Sequence, residues 1–201
     1  VVGIADSFSA GEIAVRLRLG GAVACVTQDA VLRGGKALPL YARVRQAARS
    51  VPGCRVVVLA ARAPSGLAPE ALAEFAPQCD LDRGNGDVAY TELLAGGSRA
   101  ELRATPAGAG ATTTVLFSSG TTGEPKAIPW DHSHPLKAAA DGMLHQDIGE
   151  GDVVAWPTSL GWMMGPWLIY AALLNGAAVA LFDGSPLSRP FGVFVRDARV
   201  T

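Results

Sequence analysis

The chain is poor in charge: of its 201 residues only 17% are Asp, Glu, Lys or Arg, against a usual share of about 25%. So sparse a charge implies that part of the surface is covered by something else, and a larger parent body is one candidate. Neither sign dominates, since 17 basic and 18 acidic residues leave a net charge of −1. There is thus no electrostatic reason to expect nucleic acid or anionic lipid as a partner. The three cysteines, Cys25, Cys54 and Cys79, lack the C-x-x-C spacing of a metal or redox site, so a reducing compartment is the simplest reading. No period of 20 to 50 residues repeats. The opening VVGIADSFSA has neither an initiator methionine nor a charged-then-apolar leader, and the closing RDARVT falls in a helix or turn. The expectation is a piece cut at both ends.

What the chain does have is apolar mass. Hydrophobic residues make up 49%, enough to core one ample domain or two small ones. Between Asp152 and Asp183 the run VVAWPTSLGWMMGPWLIYAALLNGAAVALF carries no charge, as a membrane span would. Pro157, Gly165-Pro166 and Asn175-Gly176 divide it into pieces too short for the ~20 residues a span requires. The expectation is a buried soluble segment with no membrane span.

Elements alternate along the chain. VVGIA reads as the end of a strand, and Ser9 with Glu12 as a capping box for a helix that puts Ile13 and Leu17 on one face. AVACVT suits a buried strand; Tyr41 to Arg49 has helical spacing through Val44 and Ala48, with Arg43, Arg45 and Arg49 on its solvated face. After the Pro52-Gly53 turn, CRVVVLA gives a strand buried on both faces. Residues 61–111 weaken into an irregular connection with short helices near Pro69 to Phe75 and Thr91 to Leu94, the stretch GGSRAELRATPAGAGA being its loosest part. Order returns with a strand at Thr112 to Phe117, a helix at Pro135 to Leu144, a strand at Val153 to Trp156, a helix at Pro166 to Leu174 and a strand at Ala177 to Phe182. The class is α/β, with mostly parallel strands alternating with helices. Three stretches are expected: alternation over 1–60, the connection over 61–111, and 112–201.

The chemistry concentrates in SSGTTGEPK, Ser118 to Lys126, where the Thr112 to Phe117 strand ends. Gly120 and Gly123 permit positive φ and close backbone approach, so successive N–H groups can turn inward as an anion cradle. The hydroxyls of Ser118, Ser119, Thr121 and Thr122 add short donors, Lys126 adds a full positive charge, and Pro125 stiffens its approach. A polyphosphate suits that combination, while Gly, Ser and Thr also build ordinary flexible turns. Two standard phosphate signatures are excluded by spacing. Lys126 precedes Ala127 rather than Ser or Thr, against the P-loop, and no G-x-G-x-x-G follows a strand.

The stretch LFSSGTTGEPK resembles the phosphate-binding signature of the adenylate-forming superfamily, which includes acyl-CoA synthetases, luciferases and peptide-synthetase adenylation domains. The segment from Asp152 to Gly184 resembles the part of acetyl-CoA synthetase-like members that carries Gly-Trp-x-x-Gly along the acyl site, and ADSFSAGEIAVRL and VLRGGKALPLYARV are similar to the plant acyl-activating enzymes of that branch. The resemblance implies a partial N-terminal domain of an adenylate-forming enzyme. It implies that Ser118, Ser119, Gly120, Thr121, Thr122, Gly123 and Lys126 handle the β- and γ-phosphates of ATP, with Lys126 the catalytic cation. It also implies that Trp162 walls the carboxylate pocket, with Met163, Met164 and Gly165 beside it; core packing is the alternative for Trp162, Met163 and Met164. Acetate-using relatives carry aspartate and threonine where this chain has Ser159 and Met164, so a roomier or more apolar acyl group is implied.

The implied reaction joins a carboxylic acid to ATP, with Mg²⁺ bridging the phosphates, and then passes the acyl group to coenzyme A. The family carries its adenine and ribose contacts, magnesium-binding glutamate, hinge and orienting lysine beyond the acyl segment, and neither Tyr-Gly-x-Thr-Glu nor Thr-Gly-Asp occurs here. The chain is therefore expected to be an internal piece of an intracellular, peroxisomal or cytoplasmic enzyme, inactive alone and with no metal ligand of its own. A non-catalytic module that binds nucleotide or a partner is the alternative. Weaker features are His132 and His134 as a metal pair without a third ligand, His145 as a helix-dipole partner, Gly34-Gly35-Lys36 as a second anion turn, and Ser118 and Ser119, which lack the G-x-S-x-G of a hydrolase.

Overall fold

The computed structural model describes residues 1–33, 36–59, 80–97, 103–118, 124–182 and 184–201. The expected helix at Pro69 to Phe75, residues 61–79 and 98–102 of the irregular connection, Cys79 and the Gly34-Gly35 turn lie outside the described residues. The chain forms two compact units, Asp6–Thr105 and Val1–Ala5 with Pro106–Thr201.

In the Asp6–Thr105 unit, helix α1 (Ala10–Leu19) starts at the expected capping box: the Ser9 amide donates to Glu12 Oε2 at 2.8 Å and the Glu12 amide to Ser9 Oγ at 3.4 Å. Ile13 and Leu17 are buried on its inner face. Strand β1 (Ala24–Gln28) pairs in parallel with β4 (Arg55–Leu59), and β4 in parallel with the short β5 (Val88–Ala89). Val56, Val57 and Val58 of central β4 are all buried, as its unbroken apolar run requires. β1 departs from expectation: Val26 is 65% exposed. As the edge of this sheet, β1 has only alternate residues covered among the described ones. Helix α2 (Leu40–Ala48) buries Leu40, Tyr41, Val44, Ala47 and Ala48. Its Arg43 is half-buried rather than solvated, donating to the Asp6 and Phe8 carbonyls at 2.8 and 3.1 Å. Between β1 and α2 the antiparallel pair β2 (Val31–Arg33) and β3 (Lys36–Leu38) was not foreseen. Gly53 makes the expected turn at φ +83°, and α3 (Tyr90–Ala95) follows β5.

One buried carboxylate organises this unit. Asp87 is fully enclosed, and accepts from the Val56 amide at 3.1 Å, Asn85 Nδ2 at 2.9 Å and the Tyr41 hydroxyl at 2.8 Å. Tyr41 Oη in turn accepts from the Asp82 amide at 2.8 Å. A buried charge is tolerated only when its acceptors are filled, and here they tie α2, β4 and the 80s turn together. Burial pushes the Tyr41 hydroxyl above its ordinary pKa and does the same to the Cys54 thiol, while the Cys25 thiol is raised to about 11.

In the other unit, β6 (Thr112–Ser118) and β7 (Lys126–Asp131) form an antiparallel hairpin. β7 was not foreseen either. Pro129 in its middle argues against a strand, and an edge position tolerates it. Along the other edge of β6 lies Val1–Gly3. The Val1 ammonium donates to the Thr113 carbonyl at 2.8 Å, the Val115 amide to the Val1 carbonyl at 2.8 Å and the Gly3 amide to the Val115 carbonyl at 3.3 Å. Helices α4 (Ser133–Gln146) and α5 (Met164–Leu173) pack closely, a β-carbon at Gly142 standing 2.9 Å from that of Ala171. The core beneath them is Ile148, Ala171, Ala172 and Ala177. Asn175 Nδ2 donates to the Ala139 and Ala171 carbonyls, both at 2.8 Å, and so fastens one helix to the other. The parallel pair β8 (Val153–Val154) and β9 (Ala178–Val179) is shorter than its apolar runs suggested. Helix α6 (Arg189–Asp197) turns Phe191 and Phe194 onto Phe182, with ring centroids 5.2 and 5.1 Å away. The uncharged run thus resolves into short pieces, and no helix among the described residues is long and apolar enough to cross a membrane.

Candidate functional site

The β6–β7 hairpin fixes both ends of the Ser118–Lys126 stretch. Threonine and valine suit β6 to a pleated strand, and Leu116 and Phe117 anchor its end in the core. Ser118, the last residue of β6, pairs with Lys126, the first of β7. Residues directly opposite in an antiparallel ladder have Cα atoms roughly 4.5–5.5 Å apart, so the chain leaves β6 and enters β7 at one place. Lys126 is exposed there. Ser119, Gly120, Thr121, Thr122 and Gly123 lie outside the described residues.

The second element is the turn before α5. A β-carbon at Gly161 would stand 2.5 Å from the Ile4 carbonyl carbon and closer still to the Ala5 amide nitrogen, and one at Gly165 would stand 2.5 Å from the Ser159 carbonyl oxygen. Real β-carbons do not approach backbone so closely, hence both ends of Gly-Trp-x-x-Gly require glycine for space. The turn is closed by the Trp162 amide on the Ser159 carbonyl and the Gly165 amide on the Trp162 carbonyl, each at 3.0 Å. Ser159 Oγ accepts from the Gly161 amide at 3.2 Å. With its glycines pressed inward, the turn presents Trp162 at 44% and Met163 at 57% exposure, with Met164 half-buried at the start of α5 and Gly165 buried. Those exposures set Trp162 and Met163 apart from core residues.

Sequence reasoning missed the partner of this turn. Gly3, Ile4 and Ala5 supply the backbone against which Gly161 and Leu160 lie, and the spare Gly3 in VVGIA was the signal that could have shown it. Two concavities of the molecule include neither Lys126 nor Trp162: one of about 570 Å³ beside Ser9, Pro39 and Arg43, and one of about 360 Å³ beside Asp152, Trp156 and Trp167.

Of the two histidines, His134 is engaged locally. His134 Nδ1 lies 2.9 Å from Asp131 Oδ1, and the ring stacks on Trp130 with centroids 5.4 Å apart. Ser133 donates to the same carboxylate oxygen from its amide at 2.8 Å and its hydroxyl at 2.6 Å. The Ser133 hydroxyl first, then His134, hold the Asp131 carboxyl well below the usual carboxylate range. His145 Nε2 lies 3.8 Å from Asp141 Oδ1 on α4. Among the described residues no group of three or more His, Cys, Asp or Glu could hold a metal ion.

The family model described as "AMP-binding enzyme" matches residues 1–201, the whole chain. The chain belongs to the AMP-binding enzyme family. Among its AMP-binding relatives, hexanoyl-CoA synthase of Cannabis sativa is 50% identical over 204 residues, spanning 100% of this chain and 26% of that protein. Probable acyl-activating enzyme 17, peroxisomal, of Arabidopsis thaliana is 48% identical over 206 residues, with the same two coverages. The solved structure of acetoacetyl-CoA synthetase from Streptomyces lividans superposes with a TM-score of 0.67 at 29% identity, covering 89% of this chain and 25% of that one. This AMP-binding chain therefore spans about a quarter of the length of the relatives it matches.

Proposed function

We propose that the chain is part of an ATP-dependent carboxylate–CoA ligase, and that it supplies the phosphate loop and one wall of the acyl site. The observation that carries this reading is the Ser118–Lys126 pairing, which brings together the two ends of the stretch bearing Ser-Gly-Thr-Thr-Gly-x-Pro-Lys, at the end of a strand and with its lysine exposed. In the first step an oxygen of the substrate carboxylate attacks the α-phosphorus of ATP; the new O–P bond forms as the bond to the β-phosphate oxygen breaks and pyrophosphate leaves. Ser118, Ser119, Gly120, Thr121, Thr122 and Gly123 hold the β- and γ-phosphates, and the Lys126 ammonium offsets charge that grows on the leaving group. In the second step the coenzyme A sulfur attacks the acyl carbon, the C–S bond forms, the C–O bond to AMP breaks and the thiol proton passes to solvent.

Trp162 bounds the acyl chain, and Met163, Met164 and Gly165 shape the space beside it. Methionine adapts to an apolar chain without fixing a polar one, which fits an acid longer than acetate. Mg²⁺ would supply positive charge to phosphate oxygens, which suit a hard cation; the described residues offer it no cluster of ligands, and no step here is assigned to it. Because the piece holds one loop and one wall, we assign the activity to the intact parent and none to the piece alone. We place that parent inside the cell, in the peroxisome or the cytoplasm. The test is ATP–pyrophosphate exchange by the intact parent across a panel of carboxylic acids. Exchange that depends on one class of acid supports the reading, and background with every acid contradicts it.

A further inference from the structure

Gly3 sits where glycine is needed for space alone. Its φ is not positive, and it makes no turn. A β-carbon there would stand 2.5 Å from the Leu160 carbonyl oxygen and 3.3 Å from its carbon. The opposing atoms are backbone, so no rotamer change can relieve the collision. Gly161 meets the same segment from the other side, at Ile4 and Ala5. The next residue along that turn is Trp162.

The segment carrying Gly3 is itself fixed. Val1 and Gly3 hydrogen-bond to Thr113 and Val115 of β6, and Ala5 is 1% exposed. β6 is the strand that ends in Ser118. The order of contact is therefore strand β6, then the Val1–Ala5 segment, then the Leu160–Gly161 backbone, then Trp162. Because the first two interfaces are backbone to backbone, no side chain of the intervening segment adds to the separation between β6 and the Trp162 turn. Any side chain at position 3 must increase it.

We infer that Gly3 is a positioning residue for the acyl site: by lacking a side chain it fixes how far the Trp162 turn stands from β6, and so sets the length of acid that the site accepts. This inference rests on the ligase reading, in which Trp162 bounds the acyl chain. One methylene in an apolar pocket changes selectivity about 10- to 200-fold. A turn displaced by a fraction of a β-carbon contact therefore alters the ranking of acids. A role confined to folding would instead lower the active fraction and reduce turnover of all acids in equal proportion.

The experiment uses the intact parent with acetate, butanoate, hexanoate and octanoate, and reads kcat/KM for each acid and KM for ATP. Gly3→Ala is expected to shift the ratio between the best and the shortest acid by about 10-fold or more, with KM for ATP unchanged. Combined with Trp162→Ala, it is expected to add no further shift, since it acts through that side chain. An unchanged ratio beside evenly reduced turnover overturns the inference, as do independent, additive effects of the two substitutions. If Gly3→Ala yields no soluble protein, Gly161→Ala, which sets a β-carbon against the Ile4 and Ala5 backbone at the same interface, is judged by the same ratio. Failure of the unmodified parent to activate any acid overturns the ligase reading and this inference with it; a normal parent whose ratio ignores position 3 overturns this inference alone.

Discussion

Gly161 lies on the backbone of Ala5, with no room between them for a methyl group. The contact joins residues far apart in sequence and fixes where Trp162 emerges. Gly161→Ala is expected to destabilise the intact parent by about 1–3 kcal/mol, the usual cost of forcing volume into a packed site. Gly192 is the contrast. It lies within α6 and a β-carbon there meets nothing within 4 Å, so Gly192→Ala is expected to be neutral or to stabilise by up to about 1 kcal/mol. Urea unfolding of both variants checks the pair.

Tyr41→Phe should cost more than its size suggests. The hydroxyl donates to buried Asp87 and accepts from the Asp82 amide, so its removal strips a partner from each. Leaving buried polar groups unpaired costs about 1–3 kcal/mol. The Arg83–Glu92 ion pair has both side chains about half exposed, and Glu92→Gln is expected to leave the urea midpoint nearly unchanged. A Tyr41→Phe variant as stable as the parent would show that the network carries little.

Asp131 predicts a pH dependence of known sign. Its folded-state pKa is depressed below the ordinary 3.8, first by the Ser133 hydroxyl. A depressed carboxyl contributes stability that is fully present above the unfolded value and is lost as pH falls through the folded one. Wild type should therefore exceed Asp131→Asn in thermal midpoint near neutral pH, and the gap should close as pH falls below 3.8. A gap independent of pH would contradict this.

These relationships were unequally legible in the sequence. Local signals held: Ser9 and Glu12 cap α1, Ile13 and Leu17 face inward, and Gly53 takes its positive φ. Each depends on neighbours within a turn. Edges were misjudged, because an apolar run says nothing of whether a sheet continues beyond it; Val26 of β1 is exposed for that reason. β7 hid behind Pro129. The Asp87 network spans up to 46 positions and the Gly3–Leu160 contact far more, and no periodicity encodes such pairings. Of the candidate site, the glycines that leave Gly-Trp-x-x-Gly no room for a β-carbon stand in the sequence, whereas the segment that holds the Trp162 turn was not readable there.

Met164→Thr tests the acyl pocket directly. Met164 opens α5 and is half-buried, and a smaller polar side chain there should favour short acids over long ones. The ratio of kcat/KM for acetate over hexanoate is expected to rise by about 10-fold or more. An unchanged ratio would remove Met164 from the pocket.

The account turns most of all on Lys126, the exposed base of the loop opposite Ser118. The deciding measurement is ATP–pyrophosphate exchange by the intact parent carrying Lys126→Ala. Loss of a preorganised charge that stabilises the transition state costs roughly 10²- to 10³-fold, and a fall of that order in the exchange rate is the predicted result. Exchange at the unmodified rate, with ATP affinity unaltered, would contradict the phosphate loop and the function built on it.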